Sequence, residues 1–455
     1  MALKISVLFI IVFISIYYVS RVVTDDECQL SRNNDMVDDC DCRISDLNQL
    51  NNERLYPLLQ KIVKKNYFRF YPVNLKKKCQ FWPDHGQCSL RTCAIQSCPT
   101  EKLPETLREA FNSNKHTQST MPNKQDDDHP QEQCPPADTN SSLGLVNKNL
   151  SAEHKQTIEK WMKFDDMQSE NFCDVDDETS LDLEYIDLLL NIERYTGYTG
   201  VSPQTIWSAI YNENCFFLPD SKAYYNLRQK RLNANKMCLE GRTFYRLISG
   251  LHSSISIHLC AQYFFPIVGG GYSRSDGRWG PNLDEFKRRF DPETTGNEGP
   301  AWLKNLYFIY LIELRAIYKA RDYLQSQTYF TGNQTDDIHT KELLSDSLFK
   351  EIEPFANYFN ENDLFKNEQL KIEFKEHFRN VSRIMDCVGC DKCKLWGKLQ
   401  IQALGTTLKI LFSQSPIQLQ RSELVSLING FTQLSTSIYR LEHTFKTCLR
   451  KNTEL

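Results

Sequence analysis

Cys387-Val-Gly-Cys390-Asp-Lys-Cys393, continued by Lys394-Leu-Trp-Gly-Lys-Leu-Gln400 and on to Phe412, is the stretch whose reading decides the fold. Leu395, Trp396, Leu399, Leu404, Leu408, Leu411 and Phe412 recur at three- and four-residue steps, which predicts a helix with a buried face over 394–412. Asp386 is placed to serve as its N-cap. Cys390 and Cys393 then share the first turn, where unpaired amides and the helix dipole favour negative charge and lower a thiol's pKa. Two cysteines so placed make a reactive pair. Spacing alone leaves static staples or a zinc or iron–sulfur site open as well. A four-ligand site needs one more donor nearby, and the residues that follow offer no Cys or His, so no metal is expected.

The chain around this stretch has 455 residues, a net charge of −4 and 25% charged residues. That is ordinary globular composition, without the basic bias of a nucleic-acid binder. Sixteen cysteines point to an oxidising compartment. Ile5 to Val19 is apolar and follows Lys4. It falls short of the roughly 20 residues needed to span a bilayer, so residues 1–24 read as a secretory signal or, if retained, a short anchor. Asn140, Asn149, Asn333 and Asn380 head four glycosylation sequons, which fit a lumenal glycoprotein. The terminal Asn-Thr-Glu-Leu455 half matches a retrieval signal and reads as a frayed tail.

Cys28, Cys40 and Cys42 lie in a polar stretch, and Cys40 and Cys42 are too close to bridge each other readily. Cys79, Cys88, Cys93 and Cys98 follow, and then the chain becomes Asn, Ser, Gln, Asp and Pro from Asn112 to Ser142, around Cys134. Such a segment cannot bury enough apolar surface to offset its ordering entropy, so a mobile loop is expected over about 88–142. A reactive cysteine pair at the root of a mobile loop can travel.

Beyond Ser151 the pattern is helical: 155–161 and 181–190 both show amphipathic spacing. Glu193-Arg194-Tyr195-Thr196-Gly197-Tyr198-Thr199-Gly200 is turn-rich, and Trp207 falls on the next helix. An arginine fork, a hydroxyl and a flat ring suit a phosphorylated aromatic ligand. Ser249 and His252 share one helix face beside Arg246 and Gly250. No glycine-rich Rossmann fingerprint follows a strand, so a doubly wound nucleotide fold is not supported. Leu303 to Leu314 is apolar nearly all round, as at the centre of a bundle, with Glu313 and Arg315 expected to end it. The class is mostly α, and 25–455 reads as one large helical domain.

Arg383-Ile-Met-Asp-Cys387-Val-Gly-Cys390 and Lys394-Leu-Trp-Gly-Lys-Leu-Gln400 resemble the active-site helix of the endoplasmic-reticulum oxidoreductins, flavoenzymes that oxidise protein disulfide isomerase. The resemblance covers most of 25–412. It implies a helical-bundle core around FAD with long cysteine-bearing loops, in the lumen of the endoplasmic reticulum. It implies an inner pair, Cys390 and Cys393, fed by an outer shuttle, Cys88 and Cys93, with molecular oxygen as acceptor and hydrogen peroxide as product. Cys88–Cys134 and Cys93–Cys98 would be off-state bridges, Cys79–Cys387 a long-range tie, and Cys28–Cys40 and Cys215–Cys238 structural bridges. Cys42 lacks its usual mate, with Cys448 an unassigned candidate, and Cys173 and Cys260 are left unpaired. Arg194, Thr196, Trp207, Ser249, His252 and Arg289 stand at FAD-binding positions. Trp302 stands where vertebrate-type members have a further arginine. Peripheral association with the lumenal face of the membrane is expected with this reading. Two other classes remain open: a secreted, disulfide-rich binding glycoprotein without catalysis, and a thiol oxidase built on a small four-helix flavin module.

Overall fold

In chain order, the principal helices of this computed structural model are α1 (Ile44–Leu50), α2 (Tyr56–Ile62), α3 (Val201–Asn212), α4 (Leu239–Ala261), α5 (Leu283–Phe290), α6 (Gly299–Lys319), α7 (Glu368–Ile384), α8 (Asp391–Phe412) and α9 (Arg421–Thr444). The fold is mostly α, as expected. The structure describes residues 35–37, 42–82, 91–96, 98, 100–108, 170–174, 176, 182–194, 201–214, 237–266, 277–355, 358, 360–413 and 416–446. Cys28, Cys40, Cys88, Cys134, Asn140, Asn149, Thr196, Cys215 and Cys448, and the expected helix at 155–161, lie outside these residues.

Helices α4, α6, α8 and α9 pack on one another and carry the core. The core cluster to which they belong draws residues from Val37 to Phe445. Two glycines permit close helix approach. A Cβ at Gly430 of α9 would sit 2.3 Å from the Ala403 Cβ of α8. At Gly250 of α4 it would sit 2.3 Å from the Asn305 carbonyl oxygen of α6. The second contact bears on the site described below, because Ser249 and Asn305 are thereby brought together.

Helix α6 is buried over most of its length, as its composition implies, but it does not end at Glu313. Glu313 is 2% exposed, and the helix runs on to Lys319. Burial pushes its carboxyl pKa well above the ordinary range, which favours the neutral acid in an apolar helix interior.

The amphipathic reading of 181–190 is overturned. Glu184–Asp187 is a strand, β2, paired antiparallel with β1, Phe70–Val73, with Phe70 opposite Asp187. All four residues of β1 are buried. A salt bridge between Arg69 and Asp187 closes the end of the ladder. A second ribbon pairs β3, Tyr263–Pro266, with β4, Gly277–Gly280.

The helical face over 394–412 is present, but its cap differs from expectation. Cys390 is the N-cap residue of α8 and makes no side-chain cap bond. Asp386 lies in a 3-10 turn, Met385–Cys387, where Lys398 holds it at 2.9 Å. That ion pair commits the carboxylate to a lysine side chain instead of the amides of α8. Among the sequon residues described, Asn333 caps the helix Gln334–Glu342, its side chain accepting from the Asp336 amide. Asn380 is half-buried within α7 and donates to Glu213 at 3.2 Å, so its amide is already engaged.

Candidate active site

Cys390, the N-cap, is 8% exposed, and Cys393, in the first turn of α8, is half-buried; both are thiols. The turn is strapped from beneath. Lys398 binds Asp386 and Asp176, each at 2.9 Å, and the Asn74 carbonyl at 3.1 Å. Lys394 donates to the Leu75 carbonyl at 3.2 Å. A disulfide joins Cys79 to Cys387 across 308 residues of sequence. The residues before Cys79 are thus held to α8 by covalent and ionic contacts together. Burial raises the Asp386 carboxyl pKa, against the lowering effect of Lys398 and Lys77.

Lys392, between the two thiols, is itself buried. Burial pushes its pKa below the ordinary lysine value and the Arg194 guanidinium adds to this, while Cys390 and Cys393 act in the opposite sense. The inner pair and the first expected FAD residue therefore lie within electrostatic reach of the same ammonium group.

Arg194 ends a strap, 187–194, that runs between α8 and α4. The Asn191 carbonyl accepts from Trp396 Nε1 of α8 at 2.7 Å. Glu193 accepts from Gln400 of α8 at 3.0 Å and lies 3.5 Å from His258 Nε2 of α4. Burial, with Arg440 alongside, pushes the His258 pKa well below its ordinary value. The Arg194 guanidinium stacks over Trp279 of β4 at 4.8 Å. Its buried Nε has no hydrogen-bond partner among the described residues. A buried, orphaned guanidinium nitrogen is costly, and an anionic group such as a diphosphate would satisfy it.

The remaining cofactor candidates assemble on α3, α4 and α5. Trp207 and His252 stack with centroids 3.7 Å apart and planes 9° apart. Tyr211 Oη lies 3.0 Å from His252 Nδ1. Ser249 accepts from Asn305 at 3.0 Å. Arg289 donates to Glu285 at 2.7 Å and reaches Ser256 at 3.4 Å. Burial lowers the His252 pKa to about 3 and the Arg289 charge reinforces this, so the imidazole is neutral at physiological pH. Neutral stacked rings beside an arginine suit a planar, anionic cofactor. With the orphaned Arg194 nitrogen, these residues fit FAD. Trp302 is half-buried on α6, where its carbonyl accepts from Ser253 at 2.9 Å and its side chain bonds Tyr245.

The outer segment is described in part. The 3-10 turn Arg91–Cys93 packs against α8. Cys93 is disulfide-bonded, and Cys98 carries a thiol, so the expected Cys93–Cys98 bridge is not the one formed here. Between the two, Gln96 is anchored through its backbone to Asn191. Cys98 lies near the Arg69–Asp187 pair, and burial, reinforced by Asp187, raises its pKa. The expected Cys215–Cys238 bridge is not formed either. Cys238 is an exposed thiol and caps α4, its sulfur accepting from the Gly241 amide at 3.3 Å. Cys42, Cys173 and Cys260 are buried thiols, and burial lifts the pKa of Cys42 and Cys260 to about 12.

Residues with no sequence signal of their own complete the site. Asn191, Tyr211, Trp279 and Asn305 carry no motif, and only the tertiary fold places them. Glu193 and Lys392 at least fall inside the conspicuous words, next to Arg194 and between two cysteines.

A family model, Endoplasmic Reticulum Oxidoreductin 1 (ERO1), matches residues 54–441. An Ero1-like protein of Drosophila melanogaster is 43% identical over 462 residues, 93% of each chain. ERO1-like protein alpha of Rattus norvegicus is 44% identical over 442 residues, 91% of this chain and 90% of that one. The structure of a double cysteine-to-alanine mutant of S. cerevisiae Ero1p is similar at a TM-score of 0.56 and 28% identity, covering 90% of this chain and 99% of that one.

Proposed function

This chain belongs to the endoplasmic reticulum oxidoreductin family, and from that premise we propose that it re-oxidises protein disulfide isomerase in the lumen through two cysteine pairs in series. An isomerase thiolate attacks the Cys88–Cys93 disulfide. The mixed disulfide resolves, leaving the isomerase oxidised and Cys88 and Cys93 as thiols. One of these attacks the Cys390–Cys393 disulfide, so that the outer pair is restored and the inner pair holds the two electrons. Each exchange breaks one S–S bond and makes one, and the leaving thiolate takes up a proton. Exchange is fastest when the leaving thiol ionises readily, and the first turn of α8 with Lys392 beside both sulfurs favours that. Bound FAD would accept the electron pair from the inner thiols and pass it to oxygen, giving hydrogen peroxide.

Arg194 and Arg289 would meet the diphosphate, and Trp207 and His252 would supply the aromatic surface, with Ser249 held in place by Asn305. Thr196 belongs to this reading as well. The neutral His252 adds no charge to the site at pH 7. An oxygen-linked acceptor is needed on thermodynamic grounds. Isomerase disulfides sit near roughly −180 mV, close to the glutathione poise of the lumen, so exchange with glutathione alone provides little drive.

The observation that supports the reading is the packing of the Arg91–Cys93 turn against α8, the helix that carries Cys390 and Cys393 at its start. The test is oxidation of reduced isomerase by the purified, FAD-loaded protein. One peroxide per isomerase disulfide formed is expected. A colourless protein that leaves reduced isomerase untouched refutes the proposal.

A further inference from the structure

We propose that Asn191 is a positioning residue that seats the outer cysteine segment on the inner helix in one fixed register. The inference rests on the reading of Cys88–Cys93 and Cys390–Cys393 as successive pairs, and it names a device that this reading requires. A travelling segment must return to the same place each time if a thiolate is to meet the same disulfide.

Asn191 is fully buried, at 0% exposure. Its side-chain amide engages a single residue of the outer segment from both sides. Oδ1 accepts from the Gln96 amide at 2.7 Å, and Nδ2 donates to the Gln96 carbonyl at 2.9 Å. Nδ2 also donates to the Asp187 carbonyl at 3.1 Å, which sets the orientation of the amide. The main-chain carbonyl of the same residue accepts from Trp396 Nε1. Gln96 stands three residues after Cys93, and Trp396 three residues after Cys393. The two cysteine-bearing segments therefore meet at one residue, at equal distance in sequence from their cysteines.

Both bonds to Gln96 are to main chain. They recognise the path of the backbone, not a side chain, as an added strand is recognised. They form in one register and can break without repacking a side chain. When the segment leaves, a buried amide loses two partners, which is unfavourable until water replaces them or the segment returns. Asp187 fixes the amide from below and is itself held by Arg69, so the seat keeps its shape while its occupant moves.

The test uses the FAD-loaded full chain, the Asn191→Ala variant and Gln96→Pro. The latter deletes the amide donor from the outer segment and leaves the buried asparagine and its core contacts intact. Two quantities are read: hydrogen exchange across 93–98, and turnover with reduced isomerase compared with dithiothreitol. In Asn191→Ala, exchange at Gln96 is expected to accelerate at least tenfold. In both variants turnover with isomerase is expected to fall at least fivefold more than turnover with dithiothreitol. Asn191→Asp keeps the acceptor and loses the donor, so it is expected to fall between parent and alanine. Equal slowing on both reductants, or unaltered Gln96 exchange in Asn191→Ala, overturns the proposal. A parent that oxidises neither reductant refutes the two-pair reading, and Gln96 exchange then decides the seat on its own.

Discussion

Replacing Gly250 with alanine tests how the α4–α6 contact shapes the cofactor half of the site. A Cβ there would lie 2.3 Å from the Asn305 carbonyl oxygen, 2.8 Å from its carbonyl carbon and 2.8 Å from Ile309 Cγ2. Ordinary contact begins at 3.4 Å, and two of these atoms are backbone, so no rotamer relieves the overlap. The helices must part by about 1 Å, and overpacking of that kind costs about 1–3 kcal/mol. The same movement stretches the 3.0 Å bond from Asn305 to Ser249 beyond hydrogen-bond range, for a loss of roughly 1 kcal/mol more. The midpoint of thermal unfolding is expected to drop by several degrees, and bound flavin should be lost at lower dilution than in the parent. The assay is thermal melting with flavin fluorescence as the second probe. Gly280→Ala is the control, because a Cβ there would meet nothing within 4 Å. If Gly250→Ala melts and holds flavin as the parent does, the close contact does not shape the site and the reasoning fails.

Other perturbations follow from single groups. Arg194→Met keeps roughly the length of the side chain and removes the guanidinium whose Nε has no partner among the described residues. Flavin affinity should fall tenfold or more while circular dichroism is unchanged, and full flavin retention would refute the diphosphate assignment. Burial raises the Glu313 pKa, so its carboxyl binds a proton more tightly folded than unfolded. Its contribution is fully present below the unfolded value of 4.5 and is lost as pH rises toward the raised folded pKa. Glu313→Gln should therefore gain stability over the parent on going from pH 4 to pH 8, at up to about 1.4 kcal/mol per pH unit. Urea unfolding at several pH values checks this, and a difference that does not vary with pH would contradict it.

Much of the fold was legible because its central helices bury wide apolar faces. The spacing from Leu395 to Phe412 and the apolar run at 303–314 both correspond to core helices. The residues at 184–187 misled because Leu181, Leu183, Tyr185, Ile186 and Leu188 satisfy a helical and an alternating pattern equally well. The deciding partner, Phe70–Val73, lies more than a hundred residues earlier in the chain. Asp386 misled for a similar reason. It has the chemistry and nearly the position of a cap, yet Lys398, one helical face further along, takes it. Cysteine pairing was the least legible feature. The spacing of Cys93 and Cys98 allows a bridge, and nothing local records that Asn191 fixes the residue between them. Asn191 has no signal of its own because it recognises backbone, and backbone leaves no trace in composition.

Two dithiols acting in series is the claim on which the rest depends, and an anaerobic mixing experiment tests it most directly. Reduced isomerase is added to the FAD-loaded protein and to its Cys393→Ala variant, and flavin absorbance is followed beside isomerase oxidation. In the parent, the flavin should bleach as isomerase is oxidised. In the variant, isomerase should still be oxidised by the outer disulfide, and the flavin should keep its colour. Bleaching of the variant at the parent's rate would contradict the assignment of Cys393 to the inner pair, and with it the two-step relay.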